Sequence, residues 1–154
     1  MKPFYVLIGS FVVIVLISKY ADIEQHQIFA GNASMSIMLL FTAMGHFKFK
    51  KGMELMIPPR IPFKRQLVSL TGVFEILAAI GLSFEQTRFA TALLLIFFFL
   101  AVLPANVYTS RRRINYEKGD NSGPGPNYLW FRLPFQFFLI AWVWYFSIHS
   151  YSTL

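Results

Sequence analysis

There is no cysteine in this chain of 154 residues. Dithiol–disulfide exchange, a Cys-ligated iron–sulfur cluster and a structural disulfide are therefore excluded, and any redox role needs a bound cofactor or a partner. Charge is scarce as well: 14% of residues are Asp, Glu, Lys or Arg, and only 7 of them are acidic. The histidines are His26, His46 and His149, and their placement at opposite ends of apolar runs offers no bis-His pair for a haem. No spaced cluster of metal-ligating residues is present, so no metal site is expected. The composition is apolar instead, with 56% hydrophobic and 18% aromatic residues and a mean hydropathy of +0.53. A soluble domain is not built this way.

Five apolar runs, over residues 4–20, 29–47, 67–84, 89–108 and 129–148, each approach the roughly 20 residues that a helix needs to cross a bilayer. The expected fold is all-α: a polytopic membrane bundle of five transmembrane helices, taking the whole chain 1–154 as one domain. Four of the runs make a core over 29–148, and the run 4–20 adds an N-terminal helix. No length remains for a soluble domain. The first run has the outline of a signal peptide, but a cut after Ala21 would put Lys19 where a small residue is wanted. A retained, short and peripheral helix is expected.

The net charge of +7 comes with no nucleic-acid-binding motif. The basic residues flank the apolar runs, so the expected partner is a lipid bilayer and not nucleic acid. The segment KFKKGMELMIPPRIPFKR, residues 48–65, sets six basic residues against Glu54 alone. Within it, 52–57 is expected to form an amphipathic turn at the headgroups, and Pro58, Pro59 and Pro62 prevent a continuous helix. Arg111, Arg112 and Arg113 open a second basic loop, whose GDNSGPGPN stretch is expected to be flexible. The loop 19–28, carrying Asp22 and Glu24 beside Lys19, is only weakly charged. With the N-terminus inside, 12 of the 14 Lys and Arg residues fall on the cytoplasmic side, and only Lys19 and Arg88 lie outside. The C-terminus is then outside. Trp130, Trp142, Trp144 and Tyr145 fit interfacial anchoring at the two ends of the last run.

The third run, LVSLTGVFEILAAIGLSF, holds one carboxylate near its middle. On a helix, Val68, Thr71, Gly72, Glu75, Ala78, Ala79 and Leu82 share one face, while Leu70, Phe74, Leu77 and Ile80 lie on other sides. An acid in hydrocarbon costs at least ~2.5 kcal/mol unless it faces protein or water, so Glu75 is expected to point inward from a central helix. Other polar residues gather in the same half of the membrane. His46 ends a stripe of Asn32, Ser36, Leu39 and Thr42 or Ala43. Asn106 follows Pro104, which frees a carbonyl one turn earlier, and Arg132 and Gln136 stand four apart on one face. Glu75 lies roughly 13 Å from the inner edge and Arg132 and Gln136 roughly 5 and 10 Å, by a rise of 1.5 Å per residue. These depths let Arg132 extend toward Glu75. His46, Glu75, Asn106, Arg132 and Gln136 are therefore the candidate ligand-binding residues, in one polar pocket open to the cytoplasmic leaflet, with no catalytic residue assigned.

The ordered series AMGHF, the IPP and IP of IPPRIP, TGVFEILAAIGL, TRFATALLL, VLPAN and FRLPFQFFLIAW resembles the DoxX-like family of small integral membrane proteins over about residues 29–146. The resemblance implies a four-helix membrane core, residence in the inner membrane of a prokaryote and a neighbourhood of membrane redox complexes. It matches the same five polar positions without giving them roles. The expected function is an accessory or ligand-binding subunit of a membrane redox system, binding a quinone or similar amphiphile in that pocket and docking a redox partner protein. No cofactor is intrinsic, and a quinone is the one that the donor set would suit. The alternatives are a small-solute or proton-coupled carrier, which usually shows an inverted repeat not evident here, and a structural or assembly factor without a ligand.

Overall fold

The computed structural model describes residues 2–21, 23 and 25–149. Seven α-helices follow in order: α1 Lys2–Tyr20, α2 His26–Lys48, α3 Lys50–Met56, α4 Lys64–Ser83, α5 Glu85–Ala101, α6 Leu103–Arg111 and α7 Leu129–Val143. A short 3-10 turn, Pro126–Tyr128, leads into α7, and a π-helical turn, Trp144–His149, extends it. Helices α5 and α6 form one nearly continuous rod, and with the extended α7 there are, among the described residues, five helices long and apolar enough to cross a membrane. Among the described residues there is no strand, only an isolated bridge between Asn115 and Asp120. Asp22 and Glu24, on which the weak charge of the 19–28 loop rests, lie outside the described residues.

Helix α2 is the hub. It packs against α1 and α4 and touches α7 and its π-turn, while α4 packs on α5, and α5 and α6 pack on α7. This leaves α1 outside a four-helix core, in the groove between α2 and α7. Its Phe4 meets Phe131, Phe135 and Phe138 with ring centroids 5.8–6.4 Å apart, and Phe11 stands edge-on to Trp142 at 4.9 Å. Only Leu7 and Ser18 of α1 are buried. Lys2 Nζ lies 2.7 Å from Glu117, so the start of α1 sits with both basic loops at one end of the bundle, the basic end.

The face of α4 expected to be inward is the buried one: Val68, Gly72, Glu75, Ala78, Ala79 and Leu82. Leu70, Leu77, Leu94 and Phe97 on the outside of the bundle are 57–72% exposed. An apolar rim of that extent marks contact with something other than water. The interior is fastened by polar bonds to backbone. Ser36 Oγ donates to the Ala79 carbonyl at 2.9 Å, joining α2 to α4. Asn32 Nδ2 donates to the Phe146 carbonyl at 2.9 Å, and Ser147 Oγ donates back to Asn32 Oδ1 at 2.6 Å. The π-turn suits this arrangement, since a widened helical turn presents carbonyls to outside donors.

Three local expectations are corrected. Trp142 is not an interfacial anchor; it is 9% exposed and its Nε1 donates to the Gly31 carbonyl at 3.0 Å. The chain continues helically past it through the π-turn, so the position that looked terminal is interior. The segment 50–56 is a helix rather than a turn from 52, and it packs against α4 and α6. Gly52 allows this, because a Cβ there would run into the Tyr116 carbonyl. The 112–125 loop is closed and not loose: Asn115 N–H donates to the Asp120 carbonyl at 2.8 Å and Gly123 N–H to the Arg113 carbonyl at 2.6 Å, over a buried Ile114. Its Asn and Asp side chains take backbone N–H groups of the following residues, so turn chemistry orders the loop.

Candidate functional site

The fold divides the five candidate residues into two groups. The first joins α2 to α4. Glu75 is 6% exposed, and its Oε2 is buried with no hydrogen-bond partner. His46 Nε2 lies 3.6 Å from it, longer than a hydrogen bond. On its other side His46 Nδ1 lies 3.1 Å from Thr71 Oγ1. Thr71 has one hydroxyl hydrogen, and its oxygen lies 2.9 Å from the Val68 carbonyl. With the hydrogen on that carbonyl, Thr71 accepts from Nδ1–H, and Nε2 is the nitrogen that faces Glu75. Nε2 and Oε2 are then the pair of atoms that face each other across the contact.

Close packing makes this meeting unavoidable. A Cβ on Gly72 would stand 2.9 Å from His46 Cβ and 3.2 Å from the Phe47 ring, so α2 rests directly on the small-residue stripe of α4. His46 stands two residues before the end of α2. About two turns of α4 lie beyond its level, at 3.6 residues per turn, and α3 packs there, with Met53 next to Gly45.

The second group joins α5–α6 to α7. The rod divides at Val102, just before Pro104, which has no N–H to return to the preceding turn. Gln136 Nε2 reaches across from α7 and donates to the Phe99 carbonyl beside the break at 2.9 Å. Asn106 Nδ2 donates to Gln136 Oε1 at 3.3 Å, and Arg132 Nε donates to Asn106 Oδ1 at 2.9 Å. The three side chains make one chain of bonds. Among the described residues no hydrogen bond or ion pair connects it to Glu75, and Arg132 does not extend toward the acid. Depth was legible along each helix axis, but the angular position of α7 around the bundle was not.

Arg132 instead borders a cavity of about 250 Å³ at the basic end, lined also by Thr109, Ser110, Arg113, Tyr116 and Tyr128. A second, more open cavity of about 310 Å³ lies between Lys48–Gly52 and Tyr116–Gly119. Neither is lined by His46 or Glu75. Burial, and after it the Glu117 charge, push the Tyr116 phenol above its ordinary pKa. The hydrogen bond from Lys2 holds the Glu117 carboxyl below its own, so that contact is present at neutral pH and is lost only as acid protonates Glu117. Sequence reasoning missed Ser110, Tyr116 and the Asn32–Ser147 pair. The signal for Ser147 was the one serine in an apolar run, whereas nothing marked Ser110.

Fold and site thus describe a small all-helical bundle with apolar outer faces and two separate buried polar groups. A family model described as a domain of unknown function (DUF8561) matches residues 35–147, and the chain belongs to that family. No curated protein and no solved structure matches the chain. The match to this family overturns the resemblance to the DoxX-like proteins, and the redox neighbourhood and prokaryotic inner membrane lose the support that the resemblance lent them. The physical reason is plain. Prolines at span ends, a small-residue stripe and a single inward acid are what any small bundle of apolar helices needs, so their order along a chain discriminates poorly between families.

Proposed function

We propose that the protein is a multi-pass membrane protein, with the basic end on the cytoplasmic side, whose His46–Glu75 couple holds one exchangeable proton for an amphiphilic ligand in the cytoplasmic half of the bundle. Support for the membrane comes from the five apolar helices and their exposed apolar rim. Support for the orientation comes from the basic loops, which gather at the end where Lys2 meets Glu117. The observation that carries the site is the buried Glu75 Oε2, without a hydrogen bond and 3.6 Å from His46 Nε2. A purely structural carboxyl at this depth would be expected to have its oxygens bonded, because an unmade bond is costly where water is excluded.

A quinone is the ligand type that such a couple serves, since its carbonyl oxygens gain or lose protons with the redox state of the ring. Electrons would then be exchanged by a partner protein, and this chain would be the ligand-binding side of the pair. The test uses a short-chain benzoquinone added to the purified protein in weakly buffered detergent solution, with a pH-indicator dye and a binding titration. Binding accompanied by a proton change is expected in the native protein. In Glu75→Gln the melting temperature should hold while the proton change disappears and binding weakens about tenfold. Equal proton change and equal affinity in the native protein and Glu75→Gln would return the couple to fastening α2 onto α4.

A further inference from the structure

We infer that the cavity bordered by Arg132 binds a phosphate group, presented as the headgroup of an anionic lipid or as free phosphate. Arg132 is a permanent charge set among α6, α7 and the 112–125 loop, and neither ion pair found among the described residues includes it. Its Nε is held by Asn106 Oδ1 at 2.9 Å and its guanidinium lies 6.0 Å from the Tyr128 ring centre. Both contacts orient the group, but neither supplies a counter-charge. A charge withdrawn from water is retained where an opposite charge meets it.

The neighbouring side chains point to the same ligand. Ser110 is 4% exposed, lines the cavity, and its Oγ is buried with no hydrogen-bond partner. A helical serine usually turns its hydroxyl back onto a carbonyl one turn earlier, and this one does not. Arg113 reaches the cavity from a left-handed backbone conformation, φ 54°, and its side chain runs beside Gly125, φ 76°. Gly125 accepts that conformation, and a Cβ there would stand 3.3 Å from Arg113 Nε. Two arginines from different elements and Ser110 therefore line a single space. Forked N–H donors and an O–H suit the several acceptor oxygens of a phosphate. Glu117 also lines the cavity, but Lys2 engages its carboxylate at 2.7 Å. The inference uses neither His46 nor Glu75, so it stands or falls separately from the proton-holding couple.

The experiment is native mass spectrometry of the whole protein with phosphatidic acid and diacylglycerol of the same acyl chains, repeated with inorganic phosphate as competitor. Phosphatidic acid should bind about tenfold more tightly than diacylglycerol. Ser110→Ala and Arg113→Gln should each reduce that preference at least about threefold, at an unchanged melting temperature. Arg132→Gln should abolish it, but this variant also unhooks Asn106, so the two milder variants decide. Displacement by millimolar phosphate assigns the site to free phosphate, and resistance to it assigns the site to a lipid headgroup. Equal binding of the two lipids without any phosphate effect overturns the inference, as does a preference that survives both Ser110→Ala and Arg113→Gln.

Discussion

Asn32 shows how one polar side chain closes a bundle made of apolar helices. Its amide donates to the Ile28 and Phe146 carbonyls and its oxygen accepts from Ser147, so both ends of the group are engaged. Asn32→Ala would leave the Ser147 hydroxyl and the Phe146 carbonyl facing each other's lost partner in a site where Asn32 is 4% exposed. A loss of about 1–3 kcal/mol is expected, read as a lower unfolding midpoint in a detergent titration. Ser147→Ala should cost less, because Asn32 keeps both donor bonds. An unchanged midpoint for Asn32→Ala would mean that the α2–α7 contact rests on Trp142 and the phenylalanines alone. At this scale Glu75 was legible from sequence, as the one acid in a long apolar run. The acceptors of Asn32 and Trp142 were not, because a donor in a sequence does not announce which carbonyl, more than 100 residues away, will receive it.

Among the elements, α4 was the most legible. Its apolar and small residues recur at helical spacing, and the periodicity fixes the buried face whatever the neighbours are. Its start was less so: the helix runs back to Lys64, since Lys, Arg and Gln are good helix formers and a fall in hydropathy marks polarity rather than the end of a helix. The partners of α7 were illegible for a related reason, because Arg132 and Gln136 define a face but not which helix that face meets. The contact of α2 with α4 gives the prediction for this scale. Gly72→Leu places a side chain where a Cβ alone would be 2.9 Å from His46 Cβ, so the helices must part and His46 must leave Thr71. Destabilisation of about 1–3 kcal/mol is expected, with a smaller effect for Gly72→Ala. A Leu variant as stable as the native protein would show that α2 can shift along α4 without loss.

For the whole molecule, the absence of cysteine makes topology directly testable, because any cysteine introduced is the only one to label. Asn121→Cys, in the loop at the basic end, and Gln86→Cys, in the first turn of α5, are both at exposed positions. In intact cells or sealed vesicles an impermeant maleimide should reach Gln86→Cys from outside and Asn121→Cys only after the membrane is opened. Labelling of both from one side would remove the five-span reading. The position of α1 has a different consequence, for the order in which the protein is made. Its Phe4 and Phe11 rest on α7 and its other flank rests on α2. Helix α2 leaves the ribosome immediately after α1, whereas α7 leaves only after α2 to α6. Helix α1 therefore waits half-paired while those helices are made, and its phenylalanine face is closed only when α7 arrives. A nascent chain stopped before Pro126 would display that face together with an Asn32 amide that keeps only its bond to Ile28, the kind of surface by which a cell's quality control tells an unfinished membrane protein from a finished one.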